Sequence, residues 1–406
     1  MNVLMLTLLY PDDQLTEAAA NAKDKLQNQI NSYQRAFEKG IRSNLLAGEK
    51  LSIINSLPVG IFPLQYKKLF LKHSIHDDGT IEQLGCINLP WFKQHMRMHR
   101  AVKAILRWTK QSPENRTILV YTQYLPYLKA ILRVKKQVPD LKAALIVTDL
   151  PNEYGLPSGR TGLLKKLEEQ MGRKSLALCA DMDGFVLLTE PMAEVIGIRN
   201  KPFTVIEGLI LEKNTLNSED SSIVPETDKP SVLYTGTLEP GLGVQEMLDA
   251  FVEMPETELW ICGQGSMKSA VETAARNYPN IRYFGFVPQK QALALQARAD
   301  ALINPRQAGE LFTRYSFPSK TLEYMRSGKP VLCCRLEGIP VDYNPLLCYM
   351  NAGKEGIVKA VKDLMQLSNE QRKEIGQSAR SFVLENKNPN VQCAKVLKLL
   401  RSLSRA

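Results

Sequence analysis

Short apolar runs alternate with longer segments of mixed polarity along most of the chain. Apolar runs bounded by turn residues are typical of buried strands, and apolar residues three and four apart are typical of helices. In the first half we predict strands at 2–9, 117–121, 143–148, 184–189 and 203–207, and helices at 14–39, 161–180 and 192–197. In the second half we predict strands at 231–236, 258–263, 281–285, 301–304 and 330–334, and helices at 243–254, 266–277, 289–298, 319–327, 355–366 and 390–404. This alternation indicates an α/β fold with parallel sheets.

One interval interrupts the alternation. Residues 211–230, LEKNTLNSEDSSIVPETDKP, are rich in acidic residues and serine and show almost no apolar periodicity. A single core rarely grows beyond roughly 250–300 residues, so a chain of 406 residues is expected to form two domains. We predict a doubly wound domain at 1–210, a linker at 211–230, a second doubly wound domain at 231–387 and a terminal segment at 388–406. Open parallel sheets bind ligands at the carboxyl ends of their strands, which predicts a cleft between the domains.

The positive charge is concentrated in the first half. The chain has 52 Lys plus Arg and 42 Asp plus Glu, a net charge of +10. Residues 1–210 hold 28 basic and 20 acidic side chains, a net of +8, which leaves +2 for the remainder. A basic face of this kind can bind substrate phosphates, an anionic lipid surface or nucleic acid. A scattered, solvated surface is the alternative.

Composition excludes several classes of protein. With 44% hydrophobic residues the chain is neither disordered nor fibrous. No stretch approaches the roughly 18 apolar residues of a membrane-spanning helix. The opening MNVLMLTLLYPDD has no basic leader, so we interpret it as a buried strand, not a signal peptide. Seven cysteines without a CxxC pair predict no disulfide framework, and a reducing cytoplasm is the expected location.

Two glycine-bearing loops follow predicted strands in the second half. In YTGTLEPGLGVQEMLDAF (234–251), Gly236, Gly241 and Gly243 allow close backbone approach before a helix, which suits a phosphate. ICGQGS (261–266) forms a second such loop with Gly263 and Gly265, but it lacks the GxGxxG spacing of a dinucleotide fold. Ordinary turns are the alternative for each loop taken alone.

A third segment is more specific: INPRQAGELFTRYSFPSKTLEYMRSGKPVL (303–332). Pro318 lies at a predicted helix start, where Ser316 and Ser319 are candidate caps. Lys320 lies in the first turn and Glu323 lies three residues on, so the two side chains share one helix face. A cation in the first turn opposes the helix dipole, which indicates that an anion binds there. Arg306 is a second candidate for that anion, and Glu323 can accept hydrogen bonds from ribose hydroxyls; decoration of a surface helix is the alternative.

The order of these motifs resembles the nucleotide-binding half of GT-B glycosyltransferases. Within that fold it is most similar to family 4, the large retaining group, and to bacterial members that build cell-surface polysaccharides. The resemblance covers about 231–340 strongly and the first half weakly. The segments that carry it are YTGTL, LWICGQG, IRYFGFV, ALINPR and YSFPSKTLEYMRSGKPVL, with VYTQY (120–124), VTDLP (147–151) and TVIEGL (204–209) as similar cleft-lining loops.

The resemblance implies an enzyme that moves a sugar from a nucleotide-diphosphate donor, with UDP favoured, to a hydroxyl of a glycan or lipid-linked glycan. It also implies that no metal or other cofactor is needed, and that the terminal helix packs back on the first domain. Arg306 and Lys320 are assigned to the diphosphate, and Asp149 to the acceptor or the donor sugar. The assigned donor-binding residues are Gly236, Thr237, Gly263, Gly265, Tyr315, Ser316, Phe317, Pro318, Ser319 and Glu323.

The chain departs from the family pattern in its second half. Tyr315 stands where the family has a glutamate, and Glu310 is the only nearby acid. Thr237 stands where a basic residue is usual, and Leu242 precedes Gly243 where a lysine is usual. Since Arg306 and Lys320 lie within one motif block, we infer that they replace the missing cations on the diphosphate.

Two departures fall in the first half. Tyr10 and Pro11 replace the glycine-rich loop expected after the first strand. Asp149 stands where the family has a histidine in the cleft of the first domain. Neither departure affects the fold inference.

The segment PWFKQHMRMHRAVKAILRWTK (90–110) has the periodicity of a basic amphipathic helix. At about 100° per residue, one arc gathers basic residues and the opposite arc gathers apolar ones. Together with the three lysines of 63–73, this arc predicts peripheral attachment to an anionic membrane at its cytoplasmic face. An ordinary surface helix is the alternative. The basic residues of the arc are Lys93, Arg97, Arg100, Lys103 and Arg107.

The sequence supports three other functions less well. His95 and His99 are spaced to share a metal on a helix, but no carboxylate or cysteine accompanies them and we predict no metal site. A sugar-nucleotide epimerase of the GT-B type needs further acid and base groups, which a histidine-poor first half disfavours. A nucleic-acid-binding protein is permitted by the charge, but no recognised nucleic-acid motif accompanies it, so we predict no such partner.

Overall fold

The computed structural model describes residues 1–23, 26, 28–76, 79–150, 162–198, 200–211, 223–309 and 311–405. These residues form two compact units. The first unit holds the described residues through Leu211 and also the segment that begins at Pro389. The second unit holds the described residues between them, ending at Asn388. Most of the predicted linker, residues 212–222, lies outside the described residues.

The first unit is built around one large sheet. Its strands are β1 (Asn2–Thr7), β2 (Lys50–Asn55), β3 (Phe70–Leu71), β4 (Ser74–His76), β5 (Ile81–Gln83), β6 (Cys86–Ile87), β7 (Arg116–Tyr121), β8 (Lys142–Val147), β9 (Gly184–Leu187) and β10 (Phe203–Val205). Its helices are α1 (Leu15–Asn21), α2 (Asn28–Ser43), α3 (Phe92–Gln111), α4 (Leu125–Lys135), α5 (Gly162–Cys179), α6 (Met192–Ile196) and, at the end of the chain, α14 (Pro389–Arg405).

The strand order of this sheet is β10-β9-β8-β7-β1-β2-β5-β4, and every pairing is parallel except that of β4 with β5. β3 and β6 pair separately as a small antiparallel ribbon. The central strands are buried along nearly their whole length, because helices cover both faces of a parallel sheet. This burial explains why their sequences are near-continuous apolar runs.

The second unit repeats the plan with six strands. Its strands are β11 (Ser231–Thr237), β12 (Glu258–Gln264), β13 (Ile281–Tyr283), β14 (Ala301–Asn304), β15 (Val331–Cys334) and β16 (Cys348–Met350). Its helices are α7 (Val244–Val252), α8 (Lys268–Asn277), α9 (Gln289–Arg298), α10 (Leu311–Tyr315), α11 (Ser319–Ser327), α12 (Gly353–Met365) and α13 (Asn369–Asn386). The order β13-β12-β11-β14-β15-β16 is parallel throughout. The predicted α/β class with doubly wound parallel sheets is confirmed.

The terminal helix α14 completes the core of the first unit. Its buried Val396, Leu397 and Leu400 belong to one apolar cluster with side chains of α2 and of the central strands. Gly40 lies inside α2, where a Cβ would come within 2.5 Å of the carbonyl oxygen of Pro389. A larger residue would therefore push α14 away from α2. Arg401 adds an ion pair with Glu49 at 2.7 Å, and this contact lowers the pKa of the Glu49 carboxyl.

The predicted helix at 14–39 is wrong as a single element. Helix α1 ends at Asn21, and the next residue, Ala22, is extended and forms a β-bridge with Tyr66. Helix α2 then continues past the predicted end at 39, through Gly40 to Ser43. The apolar periodicity is similar on both sides of the break, so the sequence pattern does not reveal it.

Candidate active site

The carboxyl ends of β11 and β12 meet at one edge of the second sheet, and glycines form this contact. Gly236 and Gly263 are paired in register, and a Cβ on Gly263 would lie 1.9 Å from the carbonyl oxygen of Gly236. A Cβ on Gly265 would lie 2.2 Å from the carbonyl oxygen of Leu238. Any side chain at Gly263 or Gly265 would force the loops apart. The two loops therefore meet backbone to backbone, which only glycine allows here.

A carboxylate joins the same two loops. One oxygen of Glu239 accepts a hydrogen bond from the backbone N–H of Ser266 at 3.0 Å, and the other accepts from the Ser266 hydroxyl at 2.5 Å. These two bonds lower the pKa of the Glu239 carboxyl. Sequence analysis missed this pair, because 27 residues separate its members and only the neighbouring positions of β11 and β12 bring them together.

The glycine loop also contacts the segment that carries Arg306. Gly243 precedes α7 with φ +75°, and a Cβ there would lie 2.0 Å from the carbonyl oxygen of Pro305. This φ lies in the left-handed region, where glycine is free of strain. Gly243 therefore allows both the turn into α7 and the close contact of the backbone with Pro305, the residue before Arg306.

Arg306 is a half-buried cation. Its Nη2 donates to the Ser316 hydroxyl at 2.5 Å and to the carbonyl oxygen of Phe312 at 3.3 Å, and its guanidinium lies 4.3 Å from the Phe312 ring centre. Burial lowers the pKa of Arg306 to about 10, so the group is still charged at neutral pH. Its Nε is buried without a hydrogen-bond partner, and no carboxylate among the described residues forms an ion pair with it. Glu310, the nearby acid of the sequence motif, lies outside the described residues.

Lys320 and Glu323 pair directly with each other. Lys320 Nζ lies 2.8 Å from one carboxylate oxygen of Glu323, one turn later on α11. The other oxygen accepts a hydrogen bond at 2.8 Å from Nε2 of Gln296, a fully buried residue of α9. The carboxylate is therefore held at both oxygens while its side chain is about one-third exposed. The structure brings Lys320 and Glu323 together, as their spacing predicted.

A buried polar network fixes this pair relative to the glycine loop. The Tyr324 hydroxyl accepts a hydrogen bond from the backbone N–H of Thr235 at 2.8 Å and donates to its carbonyl oxygen at 3.0 Å. Gln296 Nε2 also lies 3.4 Å from the Thr235 hydroxyl. Thr235 directly precedes Gly236, so α9, α11 and the end of β11 are joined. Sequence analysis missed Gln296, because a glutamine in a mixed-polarity helix gives no sign of burial.

The remaining predicted donor residues have different environments. Tyr315 and Phe317 are buried, and the Phe317 ring lies 5.5 Å from that of Tyr343. Pro318 precedes α11 as its N-cap, and no side chain caps the helix. The predicted caps are therefore wrong: Ser316 donates its hydroxyl hydrogen to Phe312 O at 2.7 Å, and Ser319, with an exposed side chain, is the first helical residue. Thr237 is exposed at the end of β11.

Asp149 lies at the carboxyl edge of the first sheet. It follows β8 closely, and its backbone carbonyl accepts a hydrogen bond from the Gln123 side chain. Thr122 and Thr148, which follow β7 and β8, share a hydroxyl hydrogen bond of 2.8 Å beside it. The Asp149 side chain is exposed, yet the protein packed around it raises the pKa of its carboxyl. Pro151, the last residue of the VTDLP motif, lies outside the described residues.

Side-chain oxygens accept hydrogen bonds from the backbone N–H groups that follow the first strand. The N–H groups of Leu8, Leu9 and Tyr10 donate to the side-chain oxygens of Gln34, Asn55 and Asn31 at 2.8, 2.9 and 2.7 Å, respectively. A glycine-rich loop would leave such groups available to a phosphate. Here they are already satisfied, so this loop does not supply a phosphate site.

The predicted basic arc of α3 is wrong for Lys93 and Arg97. Lys93 is buried, and its Nζ donates to the carbonyl oxygens of Val59 and Gly60. Arg97 is also buried and donates to Leu57 O at 2.5 Å and to the Tyr124 hydroxyl at 2.9 Å. The loop after β2 presents carbonyl oxygens that long basic side chains can reach. Periodicity alone cannot distinguish such a contact from exposure.

The other basic residues of α3 are closer to solvent. Arg100 is half-buried and Lys103 is exposed. Arg107 is exposed and donates to both carboxylate oxygens of Glu82 at 2.5 Å, which neutralises its charge locally. The helix therefore does not present the continuous basic face that its sequence predicts.

Because Lys93 is buried, the free energy of unfolding of the protein should depend on pH in a specific range. Burial lowers the pKa of Lys93 from 10.5 to about 8, so between these values the unfolded chain binds more protons than the folded one. The free energy of unfolding should therefore rise with pH over this range, by at most about 1.4 kcal/mol per pH unit from this group. Urea unfolding of the wild type and of Lys93→Met checks this. A difference between them that does not change with pH would contradict it.

Part of the second unit is similar to a known protein family. Residues 229–367 match the family model described as Glycosyl transferases group 1. This segment includes both glycine loops, Arg306, Lys320 and Glu323. A sequence search of curated proteins found no significant match.

Solved structures show the fold of the whole chain. A sucrose-phosphate synthase from Thermosynechococcus elongatus is similar with a TM-score of 0.61 at 14% identity, over 99% of both chains. An E. coli structure described as trehalose-6-phosphate bound with UDP-2-fluoro glucose gives a TM-score of 0.60 at 10% identity, over 99% of both. The apo form of the lipopolysaccharide outer core galactosyltransferase WaaB gives 0.59 at 13% identity, again over 99% of both. The predicted GT-B fold is confirmed by these neighbours.

The described part of the chain lacks a cluster of metal ligands. No three His, Cys, Asp or Glu side chains there lie close enough together to hold a metal ion. The His95 and His99 rings do lie together, with centres 4.3 Å apart, but without a third ligand. No described helix combines the length and apolar character of a membrane span. Independence from metals stays a prediction.

Proposed function

We propose that the protein is a retaining glycosyltransferase of the family 4 type. It moves a sugar from a nucleotide-diphosphate donor, UDP-sugar by preference, to a hydroxyl of a glycan or lipid-linked glycan in bacterial surface-polysaccharide synthesis. The observation that carries the proposal is the Glu323 carboxylate, held by Gln296 and Lys320 beside two glycine loops. This arrangement lies within the segment that matches glycosyl transferases group 1.

Glu323 is suited to bind the ribose of the donor. An ionised carboxylate has about four lone-pair sites, and the protein occupies one on each oxygen. The remaining sites can accept hydrogen bonds from two ribose hydroxyls. Gln296 holds the carboxylate in one orientation before the donor binds, which reduces the entropy lost on binding.

Arg306 and Lys320 are suited to bind the diphosphate. The leaving diphosphate gains negative charge as the sugar departs, so preorganised cations stabilise the transition state. Arg306 is already desolvated and fixed by Ser316 and the Phe312 ring. Lys320 can share its hydrogens between Glu323 and a phosphate. In the first unit, Asp149 is the side chain proposed to order a sugar.

Two neighbours support the choice of donor and acceptor. The E. coli structure is described with UDP-2-fluoro glucose, and WaaB is described as a lipopolysaccharide galactosyltransferase. A lipid-linked acceptor would place the enzyme in the cytoplasm, peripherally at the inner face of the membrane. The buried Lys93 and Arg97 take no part in that attachment.

A thermal-shift panel tests the proposal. UDP, GDP and ADP and their sugars are each added to the wild-type protein without added metal. A ligand at 100 times its dissociation constant adds about 2.7 kcal/mol to the free energy of unfolding. We expect UDP or a UDP-sugar to give the largest shift in the unfolding temperature. No shift with any nucleotide, with or without magnesium, would contradict the proposal.

Glu323→Gln should weaken nucleotide binding while changing turnover little at saturating donor. Hydrogen bonds to a charged group contribute about 1.5–3 kcal/mol, so the dissociation constant should rise roughly 10- to 100-fold. Ribose contacts change little between the ground and transition states, which is why turnover is spared. Isothermal titration and steady-state kinetics measure the two effects. The matched control is Glu337→Gln, which also removes a carboxylate from an ion pair, that with Arg314 at 3.1 Å.

A further inference from the structure

Four large apolar side chains of the first unit are exposed in segments that adjoin the buried Asn88. Trp91 is 88% exposed, and Leu64, Phe70 and Phe92 are each at least 60% exposed. We call these four residues the Asn88 patch. Single exposed apolar residues are common, but several large ones in one region usually mark an interaction surface.

The buried Asn88 brings these residues together. Its N–H donates to Leu69 O at 2.7 Å, its side-chain amide donates to Gly60 O at 2.9 Å, and its carbonyl accepts from the N–H of Phe62 at 3.0 Å. Each member of the patch lies within four residues of Asn88 or of one of these three partners. Phe70 is further paired with Ile87 in the β3–β6 ribbon. The four residues of the patch therefore lie on segments that Asn88 holds together.

The backbone at Trp91 supports a role outside the chain. Trp91 is the N-cap of α3 and has φ +65°, a value that a bulky residue rarely adopts. Such a conformation is strained for a residue with a side chain. Because its side chain is almost fully exposed, packing within the protein does not offset that strain.

Exposed lysines lie on the segments that carry or adjoin the patch. Lys23, Lys67 and Lys72 are exposed, and the N–H of Lys23 donates to Gln65 O at 3.0 Å beside Leu64. In the part of the chain that the structure describes, none of these three lysines forms an ion pair. Lysines next to aromatic and aliphatic side chains complement an anionic lipid surface.

We propose that the Asn88 patch inserts into the interface of an anionic lipid bilayer. Tryptophan is favoured at that interface because its ring is partly polar, and the lysines attract anionic headgroups. Insertion of apolar side chains replaces the basic arc of α3 as the means of attachment. Binding should therefore weaken with salt without being abolished by it. The proposal concerns attachment alone and does not depend on the proposed transferase activity.

Tryptophan fluorescence provides a direct test. The chain has three tryptophans, and Trp108 and Trp260 are buried, so a change on binding reports Trp91. Vesicles of phosphatidylcholine with phosphatidylglycerol should shift the emission to shorter wavelength, and pure phosphatidylcholine should do so less. No shift with anionic vesicles at low salt would overturn the proposal. A shift that follows protein concentration without lipid would assign the patch to self-association and would also overturn it.

Substitutions separate attachment from folding. Trp91→Gly relieves the strained φ, so its unfolding temperature should equal or exceed that of the wild type. Its sedimentation with anionic vesicles should fall about tenfold or more, since burial of a large apolar side chain contributes at least that factor. Leu64→Asp should also lower sedimentation. Leu46→Asp, at another exposed leucine of the first unit, should not. Wild-type sedimentation of Trp91→Gly, or equal losses in both leucine variants, would refute the proposal.

Discussion

Replacing Arg306 or Lys320 by alanine should lower turnover by about 10²–10³, a loss of about 2.7–4 kcal/mol in transition-state stabilisation. The charge of the diphosphate grows as the bond to the sugar breaks, so a cation beside it interacts more strongly in the transition state than in the ground state. The effect should therefore appear in turnover more than in donor affinity. Steady-state kinetics with a UDP-sugar separate the two constants.

The two alanine substitutions should affect the KM for the donor to different extents. Arg306 is held by Ser316 and Phe312 and lacks a carboxylate partner among the described residues, so it is preorganised for an anion. Lys320 is paired with Glu323 before the donor binds. Its loss also frees the Glu323 carboxylate from one partner, so Lys320→Ala should raise the KM for donor more than Arg306→Ala does.

Two ion-paired surface residues of the second unit serve as controls. Arg314 pairs with Glu337, and Lys359 pairs with Asp363 one turn later on α12, much as Lys320 pairs with Glu323. Arg314→Ala and Lys359→Ala remove the same charges and should leave turnover near that of the wild type. Unchanged turnover in Arg306→Ala and Lys320→Ala would refute their assignment to the diphosphate.

The sheets were predictable from sequence because parallel strands are buried on both faces. Near-continuous apolar runs such as 117–121 and 258–263 leave little choice of structure. The glycines at the ends of two such strands predicted close backbone approach to a phosphate, whereas the contact that the structure shows at Gly236 and Gly263 is between the two backbones. The i, i+3 spacing of Lys320 and Glu323 placed both side chains on one helix face, where they form an ion pair.

Contacts between distant segments were not predictable. Gln296 and Glu239 act through partners 27 residues away, and no local pattern distinguishes them from surface residues. Lys93 and Arg97 follow the same helical period as exposed Lys103, yet they are buried because carbonyl oxygens of the β2 loop face them. Whether a charged helix residue is buried or exposed therefore depends on the surface that faces it, which the helical period does not reveal.

The combined substitution Leu397→Ala and Leu400→Ala should destabilise the first unit and leave the second nearly unchanged. Both side chains are fully buried in the cluster that α14 shares with α2 and the central strands. Each Leu→Ala change in a core costs about 2–5 kcal/mol, and domains are stable by about 5–15 kcal/mol. One turn separates the two residues, so their costs need not add, but together they approach the whole stability of the unit.

One buried tryptophan in each unit makes this selectivity measurable. Trp108 lies in the first unit and Trp260 in the second, so in a Trp91→Phe background, adding Trp260→Phe or Trp108→Phe leaves a reporter for one unit alone. In urea, the Trp108 transition should move to lower concentration in the double variant, whereas the Trp260 transition should stay in place. Lys398→Ala, at an exposed position of the same helix, should move neither. A helix buried only in the first core has no means of stabilising the second unit. Equal movement of both transitions would therefore contradict the prediction, because it would show that α14 stabilises the two units alike.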